Sequence, residues 1–243
     1  MIENLIKEYD SKNNNNLSNF IEGLNLNGLV NFYLKCSNHL YFQKYNNIGN
    51  MLEYVYKIIK NKLSSVTIIE LMGIYTNIFI EALNIEESIN ANNNIVRVRT
   101  ASLKDDFFLN FEPKRRKMSR EQFIDMYTRE MDYYEKDSLY LKSVFSFVDK
   151  LQQEIADYID NAISKLSDEE KNILLIRVNE IIENNSLKII EENESKTRVI
   201  DIYSKMKEIP TFEISNISDT KKYENYVYES FRGSLMKKNI KKK

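Results

Sequence analysis

Proline and glycine are missing from the middle of this chain. Its only two prolines, Pro113 and Pro210, enclose residues 114–209, and these 96 residues contain no glycine either. Because proline and glycine make up about 12% of average sequence, roughly 11 of them would be expected over that length. Both residues disfavour helix and mark turns, so a long backbone without them is typical of long helices. The sequence therefore predicts an all-α fold.

Cysteine and histidine occur once each, as Cys36 and His39. A single cysteine cannot form an internal disulfide, which favours a reducing compartment, so we expect a cytoplasmic protein with a nuclear location as the alternative. Cys36 and His39 have the spacing of metal ligands, but a structural zinc site needs four N or S ligands. Nucleophilic catalysis would depend on His39 alone, without a residue placed to orient it. We predict no metal site and no catalytic site.

Phosphate-binding loops and membrane segments are also missing from the sequence pattern. The five glycines stand singly, so there is no glycine-rich loop. The longest nearly charge-free apolar run, residues 71–80, is too short to span a bilayer, and the first residues do not resemble a signal peptide. With 35 basic and 36 acidic residues, the chain as a whole is not a polyanion binder. We predict no cofactor, no small-molecule substrate and no membrane partner.

Residues 1–90 are predicted to form an N-terminal helical bundle. Apolar residues recur at spacings of three and four from residue 17 to residue 63. Breaks are expected at Asn13–Asn16, at Gly28 and at Asn46-Asn47. From Val66 to Ile85 almost every position is apolar, and Ser64-Ser65 is expected to cap this helix. A helix that is apolar on all sides needs neighbours on all sides, so we expect it at the centre of the bundle.

Residues 91–118 differ in composition from the segments around them. They include the Asn92–Asn94 run, Pro113 and a cluster of basic residues. Asparagine competes with helix formation through side-chain hydrogen bonds to its own backbone, so the run is predicted to be a loop. The segment as a whole is predicted to be a basic linker.

Residues 119–209 are predicted to form a long helical hairpin. Ser119 with Gln122 and Ser167 with Glu170 have the spacing of capping boxes, so a helix is expected to start after each serine. Spacings of three and four in the first helix indicate a heptad seam, as in helices that pack along their length. The predicted seam consists of Leu141, Val144, Val148, Leu151, Ile155, Tyr158 and Ala162. The returning helix is expected to pack through Ile173, Leu174, Val178, Ile181 and Ile182.

Residues 187–205 leave two structures open, a continuing helix or a β-hairpin, and the helical surroundings favour the helix. Residues 210–243 are predicted to be a C-terminal helix that ends at Gly233, followed by a lysine-rich tail. One face of that helix is expected to carry Tyr223, Tyr226, Val227 and Phe231. The predicted fold class is an all-α antiparallel bundle of α-hairpins with one long heptad-patterned helix pair.

Two basic segments contain the candidate contact residues. Clustered cations beside a flexible backbone are typical of phosphate-backbone contacts or of a nuclear-import signal, and the remaining interpretation is that they only solubilise the chain. The candidate contacts with nucleic acid or partner are Arg97, Arg99, Lys114, Arg115, Arg116, Lys117, Arg120, Lys237, Lys238, Lys241, Lys242 and Lys243. Ser102 follows two of these arginines at the spacing of a basophilic kinase site and is a candidate phosphosite.

The order of elements loosely resembles that of the helical regulators that bind protein phosphatases. The resemblance is carried by Lys117-Met118-Ser119-Arg120 at the start of a long helix and by Ile209-Pro210-Thr211 after it. The basic first turns that this family implies after Arg120 are replaced here by Phe123-Ile124-Asp125-Met126-Tyr127. The resemblance therefore serves only as one instance of a helical adaptor.

Long apolar seams without a catalytic constellation favour a non-catalytic adaptor or regulatory protein that binds a protein partner in a larger complex. The alternative is an RNA- or ribosome-associated factor, with residues 97–120 and the lysine-rich tail on the phosphate backbone. The salt dependence of binding distinguishes these two hypotheses, because contacts with RNA phosphates weaken steeply as the salt concentration rises.

Overall fold

Seven α-helices account for most of the residues that the structure describes. The computed structural model describes residues 15–37, 48–105, 117–205 and 217–237. The helices are α1 (Asn15–Glu22), α2 (Leu26–Ser37), α3 (Ile48–Lys62), α4 (Ile68–Asp105), α5 (Arg120–Lys165), α6 (Asp168–Lys205) and α7 (Ile217–Met236), with a 3-10 turn at Leu63–Ser65. None of the described residues lies in a β-strand. The predicted all-α antiparallel bundle is confirmed.

The chain divides into two compact units. Unit 1 consists of Met1–Ile59 and Glu81–Leu151, and unit 2 consists of Lys60–Ile80 and Gln152–Lys243. Helices α3, α4 and α5 each contribute residues to both units.

Apolar positions at helical spacing form the core of unit 1. On α3, Met51, Leu52, Val55 and Ile59 are all fully buried. The hydroxyl of Tyr33 on α2 donates a hydrogen bond to the carbonyl of Phe147 on α5 at 3.0 Å. Because this hydroxyl is removed from water, burial raises the pKa of Tyr33.

The break between α1 and α2 lies at residues 23–25 and not at Gly28, where the sequence predicts it. Asn25 precedes α2, and its side-chain oxygen accepts a hydrogen bond from the backbone N–H of Gly28 at 2.8 Å. An N-cap of this kind satisfies a helix N–H that has no intrahelical partner. Gly28 therefore lies in the first turn of α2. The Asn13–Asn16 loop prediction is also wrong in part, because α1 starts at Asn15.

Thr67, and not Ser64-Ser65, caps α4. Its hydroxyl accepts a hydrogen bond from the N–H of Glu70 at 3.2 Å, and the Glu70 carboxylate accepts the N–H of Thr67 at 2.8 Å. This is a capping box. Ser64 and Ser65 belong to the preceding 3-10 turn. The prediction that α4 has neighbours on all sides is wrong, since Asn77 is exposed and several apolar positions are only half-buried.

The prediction of a loop at Asn92–Asn94 is wrong, because α4 continues without interruption to Asp105. Residues 91–105 of the predicted linker are therefore helical. Asn92 is buried and donates a hydrogen bond from its side chain to the carboxylate of Asp137 on α5, and Asn93 accepts one from Ser138 at 3.3 Å. The asparagine side chains bond to a neighbouring helix instead of to their own backbone, so tertiary contacts override the local preference.

Helix α5 follows the predicted seam only from Val144 to Ile155, and Leu141, the first predicted position, is half-buried. Val144, Val148, Leu151 and Ile155 are buried, as predicted, but the next buried positions are Ile159 and Ile163. Tyr158 and Ala162, which the heptad pattern predicted, are only half-buried. From Val148 to Ile159 the buried positions are spaced three, four and four, a mean of about 3.67 residues, which is closer to the 3.6-residue period of a straight helix than to the 3.5 of a heptad.

In unit 2, α7 packs along α6 and places aromatic rings against the first turns of α4. Tyr75 meets Phe231 edge to face at 5.4 Å, and Phe79 stacks on Tyr226 at 5.4 Å. The helical alternative for residues 187–205 is confirmed, since α6 extends to Lys205. Helix α7 continues through Gly233 to Met236, so the predicted end is wrong. Of the predicted face, Val227 and Phe231 are buried, whereas Tyr226 is 62% exposed.

Several predicted features lie outside the described residues. They are residues 2–10, where apolar spacing predicts a short helix, and the apolar patch Phe107-Phe108-Leu109, which is expected to dock on one of the helical halves. The others are His39, the break at Asn46-Asn47, Lys114, Arg115, Arg116, Pro210, Lys238, Lys241, Lys242 and Lys243.

Candidate partner-binding surface

Helix α6 has one face that packs against α7. Lys171, Val178 and Asn185 lie on this face, seven residues apart, and all three are buried. The Asn185 side chain donates a hydrogen bond to the Asn225 side-chain oxygen on α7 at 3.1 Å. The Lys171 ammonium donates one to the carbonyl of Lys237 at 3.3 Å. This face is therefore held by polar as well as apolar contacts.

The opposite face of α6 exposes four large apolar side chains. Ile173, Ile176, Leu187 and Ile190 are 62%, 58%, 59% and 54% exposed. At about 100° per residue, they lie on the side of the helix away from Val178 and Asn185. Single exposed apolar residues are common on protein surfaces, but four on one helix face away from the core are not explained by packing.

Three exposed glutamates, Glu169, Glu180 and Glu183, lie in line with these apolar residues. Together the seven positions are spaced 4-3-4-3-4-3 along α6, which is the spacing of a coiled-coil seam. Arg177 and Lys188 lie to one side of this line. We refer to Glu169, Ile173, Ile176, Glu180, Glu183, Leu187 and Ile190 as the exposed seam.

The start of α6 is fixed by the predicted capping box, which is confirmed. The Glu170 carboxylate accepts hydrogen bonds from the N–H of Ser167 at 2.8 Å and from its hydroxyl at 2.9 Å. In return the N–H of Glu170 donates to the Ser167 hydroxyl at 3.2 Å. Hydrogen bonds to the charged carboxylate lower the pKa of Glu170. The cap therefore sets where α6 begins and how its first turns are oriented.

A mainly apolar pocket lies beside Ile173, at the beginning of the exposed seam. It has a volume of about 230 Å³. Its apolar lining consists of Ile68, Ile69, Leu166, Ile173 and Leu174. Glu170 and Arg177 also line it. Sites for drug-sized ligands start at about 300 Å³, so the volume suits a single apolar side chain.

The apolar pattern of α6 predicted that Ile173 lies on the packed face, and this is wrong. The packed face includes Lys171 and Asn185, which are polar, whereas the exposed seam includes three isoleucines and a leucine. Of the other predicted positions, Val178 is buried and Leu174, Ile181 and Ile182 are half-buried, so the predicted packed side is right except at Ile173. The 4-3 spacing from Glu169 to Ile190 was the signal in the sequence that could have identified the exposed seam.

The basic candidate residues near the ends of α4 and α5 have different surroundings. Arg99 donates hydrogen bonds to Glu130 at 2.9 and 3.1 Å, and its guanidinium lies 4.8 Å from the centre of the Tyr127 ring. The hydrogen bond to Glu130 raises the pKa of Arg99 further. Arg97 is exposed. Lys117, Arg120 and Lys237 are also exposed, and Lys117 has a φ of 54°.

Ser102, the candidate phosphosite, is half-buried within α4. It follows Arg97 and Arg99 on the same helix. Modification of Ser102 stays a prediction.

Cys36 on α2 is fully buried. Burial in apolar surroundings raises the pKa of its thiol to about 12. Among the described residues, no group of three or more His, Cys, Asp and Glu side chains could hold a metal ion.

Helix α4 is long and apolar enough to cross a membrane by length and composition. The segment Ile68–Lys104 contains an 18-residue window with a mean hydropathy of 1.4, of which 39% is buried inside the protein. The core helix of a soluble protein meets the same criterion, so this is weak evidence.

Comparisons with protein-family models, with curated proteins and with solved structures give no match to this chain. The loose resemblance to helical phosphatase-binding regulators gains no support from them.

Proposed function

We propose that this chain is a non-catalytic, all-helical adaptor or regulatory protein that binds a protein partner within a larger complex. The observation that supports the proposal is the exposed seam of α6. Helix-in-groove recognition uses apolar anchors at helical spacing, and the seam presents four of them on one face. No small-molecule substrate, cofactor or membrane is part of this proposal.

The free energy available from these anchors is sufficient for a specific contact. Complete burial of a large apolar side chain stabilises a complex by about 1.5–3 kcal/mol, and the four anchors are each more than half exposed in the free chain. Part of this gain is offset by the loss of translational and side-chain freedom on binding. The remainder suits a reversible regulatory contact.

Affinity purification from native extract tests the proposal, with wild-type protein and the variant Ile176→Asp/Leu187→Asp as baits. Both residues are exposed, so the variant is expected to fold. Leu139→Asp is a matched control, because Leu139 is 63% exposed on another helix. We expect wild type and Leu139→Asp to recover the same proteins and the double variant to lose them. Recovery of the same proteins by the double variant would contradict the proposal.

An RNA- or ribosome-associated function is the second candidate. Arg97, Lys104, Lys117 and Arg120 are all exposed. They lie near the end of α4 and the beginning of α5, two helices that meet through the Arg99–Tyr127 contact. Cations gathered at one end of a helix pair suit a phosphate backbone.

Charge reversal tests this second function. The variant Arg97→Glu/Lys117→Glu/Arg120→Glu is expected to weaken RNA binding and to reduce its salt dependence by about one unit of slope for each phosphate that is no longer neutralised. Lys136→Glu/Lys142→Glu, which reverses exposed charges of the same sign farther along α5, serves as the control and is expected to keep the wild-type salt slope. RNA affinity with an unchanged salt slope in the triple variant would rule this function out.

A further inference from the structure

The exposed seam carries information about the chemistry of its partner. From Glu169 to Ile190 it covers 22 residues, or about 33 Å of helix at 1.5 Å per residue. Its two apolar pairs, Ile173 with Ile176 and Leu187 with Ile190, are separated by the acidic pair Glu180 and Glu183. A partner that contacts both apolar pairs must therefore also lie over the two carboxylates.

A helix is the partner element that fits this spacing. Positions repeated at four and three residues stay in line only against another helix that follows the same repeat. The pocket beside Ile173 lies on the Arg177 side of the seam, next to one end of such a helix. Strand addition needs an exposed sheet edge, and the described part of the chain has none.

The charged positions of the exposed seam are all acidic. Glu169, Glu180 and Glu183 are exposed, and no lysine or arginine occupies any of the seven positions. Lysine or arginine on a facing helix would meet these carboxylates with complementary charge, whereas acidic side chains would be repelled. Glu180 and Glu183 therefore favour a partner helix that has basic residues at its centre and apolar residues on either side of them.

A second copy of this chain does not satisfy the same requirement. In an antiparallel pair of seams, Ile173 would face Ile190 and Ile176 would face Leu187, but Glu180 would face Glu183. In a parallel pair, Glu180 would face its own copy. Like charges directly opposed at the centre of an interface are destabilising, so both orientations of self-pairing are disfavoured.

We infer that the exposed seam binds a basic amphipathic helix of a different protein, with lysine or arginine opposite Glu180 and Glu183 and apolar residues opposite the two apolar pairs. The inference rests on the proposed adaptor function and specifies the chemistry of the partner. The basic residues give orientation and selectivity, and the apolar residues give most of the affinity.

Two synthetic helical peptides of 22 residues test the inference against the full chain. Both carry leucine opposite the four apolar positions, and they differ only in having lysine or glutamate opposite Glu180 and Glu183. Fluorescence anisotropy at low and high salt measures their binding. We expect the lysine peptide to bind at least about tenfold more tightly than the glutamate peptide, and the difference to shrink as salt rises.

A charge swap on the protein provides the decisive comparison. The variant Glu180→Lys/Glu183→Lys is expected to reverse the preference and to bind the glutamate peptide more tightly. Asp157→Lys/Asp160→Lys on α5, which changes two exposed carboxylates away from the seam, is expected to keep the wild-type preference. Circular dichroism checks that both variants retain their helix content.

Three results would overturn the inference: equal binding of the two peptides, binding of neither, or a preference that the charge swap does not change. A dimer in sedimentation experiments that Ile176→Asp/Leu187→Asp abolishes would also overturn it, because the partner would then be a second copy. If neither peptide binds but the apolar variant still loses its proteins from extract, the adaptor function stands and only the partner chemistry is rejected.

Discussion

The guanidinium of Arg99 forms a two-pronged ion pair with the carboxylate of Glu130, with Nε 2.9 Å from Oε2 and Nη2 3.1 Å from Oε1. The pair joins α4 to α5 within unit 1, and the Tyr127 ring lies against the same guanidinium. A residue that the sequence suggested as a nucleic-acid contact therefore contributes to the packing of the protein itself. Its neighbour Arg97 is exposed.

This difference predicts unequal effects of removing the two arginines. Arg99→Ala is expected to lower the free energy of unfolding by about 1 kcal/mol, because it removes both a partly exposed ion pair and a cation–ring interaction. Arg97→Ala is expected to change it by less than about 0.5 kcal/mol. Urea denaturation measures both values. Equal destabilisation by the two variants would contradict a specific contribution of the Arg99–Glu130 pair to stability.

The capping box at the start of α6 predicts a loss of stability on removal of its hydroxyl. Ser167→Ala is expected to destabilise the protein by about 1 kcal/mol, since an N–H of the first turn loses its acceptor. Ser164→Ala, in the last turn of α5, is the matched control. If the cap contributes to stability, Ser167→Ala unfolds at a lower denaturant concentration than Ser164→Ala. Equal midpoints would contradict the prediction.

The same capping box predicts a pH dependence of stability. The pKa of the Glu170 carboxyl is lowered in the folded chain by hydrogen bonds from Ser167, so the ionised form stabilises the fold. This contribution is complete above the pKa of about 4.3 for an unfolded glutamate, and it is lost as the pH falls through the lower folded value. Glu170→Gln is therefore expected to be less stable than wild type at neutral pH and equal to it in acid. A constant difference across a pH series of denaturation curves would contradict this.

The shift of the buried seam on α5 predicts which substitutions there are costly. Ile159→Ala is expected to destabilise the protein by about 2–5 kcal/mol, because a fully buried side chain is replaced by a cavity. Tyr158→Ala is expected to cost about 1 kcal/mol or less, since Tyr158 is only half-buried. Thermal unfolding of both variants tests the register. A larger loss of stability for Tyr158→Ala than for Ile159→Ala would contradict this register and favour the heptad seam that the sequence predicts.

The burial of Cys36 predicts that its thiol is unreactive in the folded protein. With its pKa raised to about 12, almost none of the thiol is ionised at neutral pH, and the thiolate is the reactive form. A thiol reagent is expected to modify native Cys36 at least about a hundredfold more slowly than the urea-unfolded chain. The variant Cys36→Ala/Ser64→Cys, with an exposed cysteine, should react quickly when native. Fast reaction of native wild type would show that α2 opens readily.

Structural features that depend only on residues within one helical turn could be predicted from the sequence. Ser119 with Gln122 and Ser167 with Glu170 form the predicted capping boxes, because each depends only on residues three positions apart. The missing prolines and glycines predicted the long helices α5 and α6 for the same local reason. The prediction of a loop at Asn92–Asn94 is wrong, because the side chains of Asn92 and Asn93 form hydrogen bonds with residues 45 positions away.

The exposed seam shows where such local reasoning fails. Apolar residues occur on both sides of α6, and hydrophobicity alone does not show that Ile173, Ile176, Leu187 and Ile190 stay exposed. The burial of Lys171 and Asn185 depends on Lys237 and Asn225 near and within α7, which no pattern within α6 can reveal.

The sequence by itself determined that the chain folds into long helices and where several of them begin, because helix formation and capping are governed by neighbours three and four residues away. Only the tertiary structure decided which apolar positions stay exposed and which polar side chains are buried. Burial depends on the elements packed against a helix, and those contacts left the apolar line of α6 in solvent.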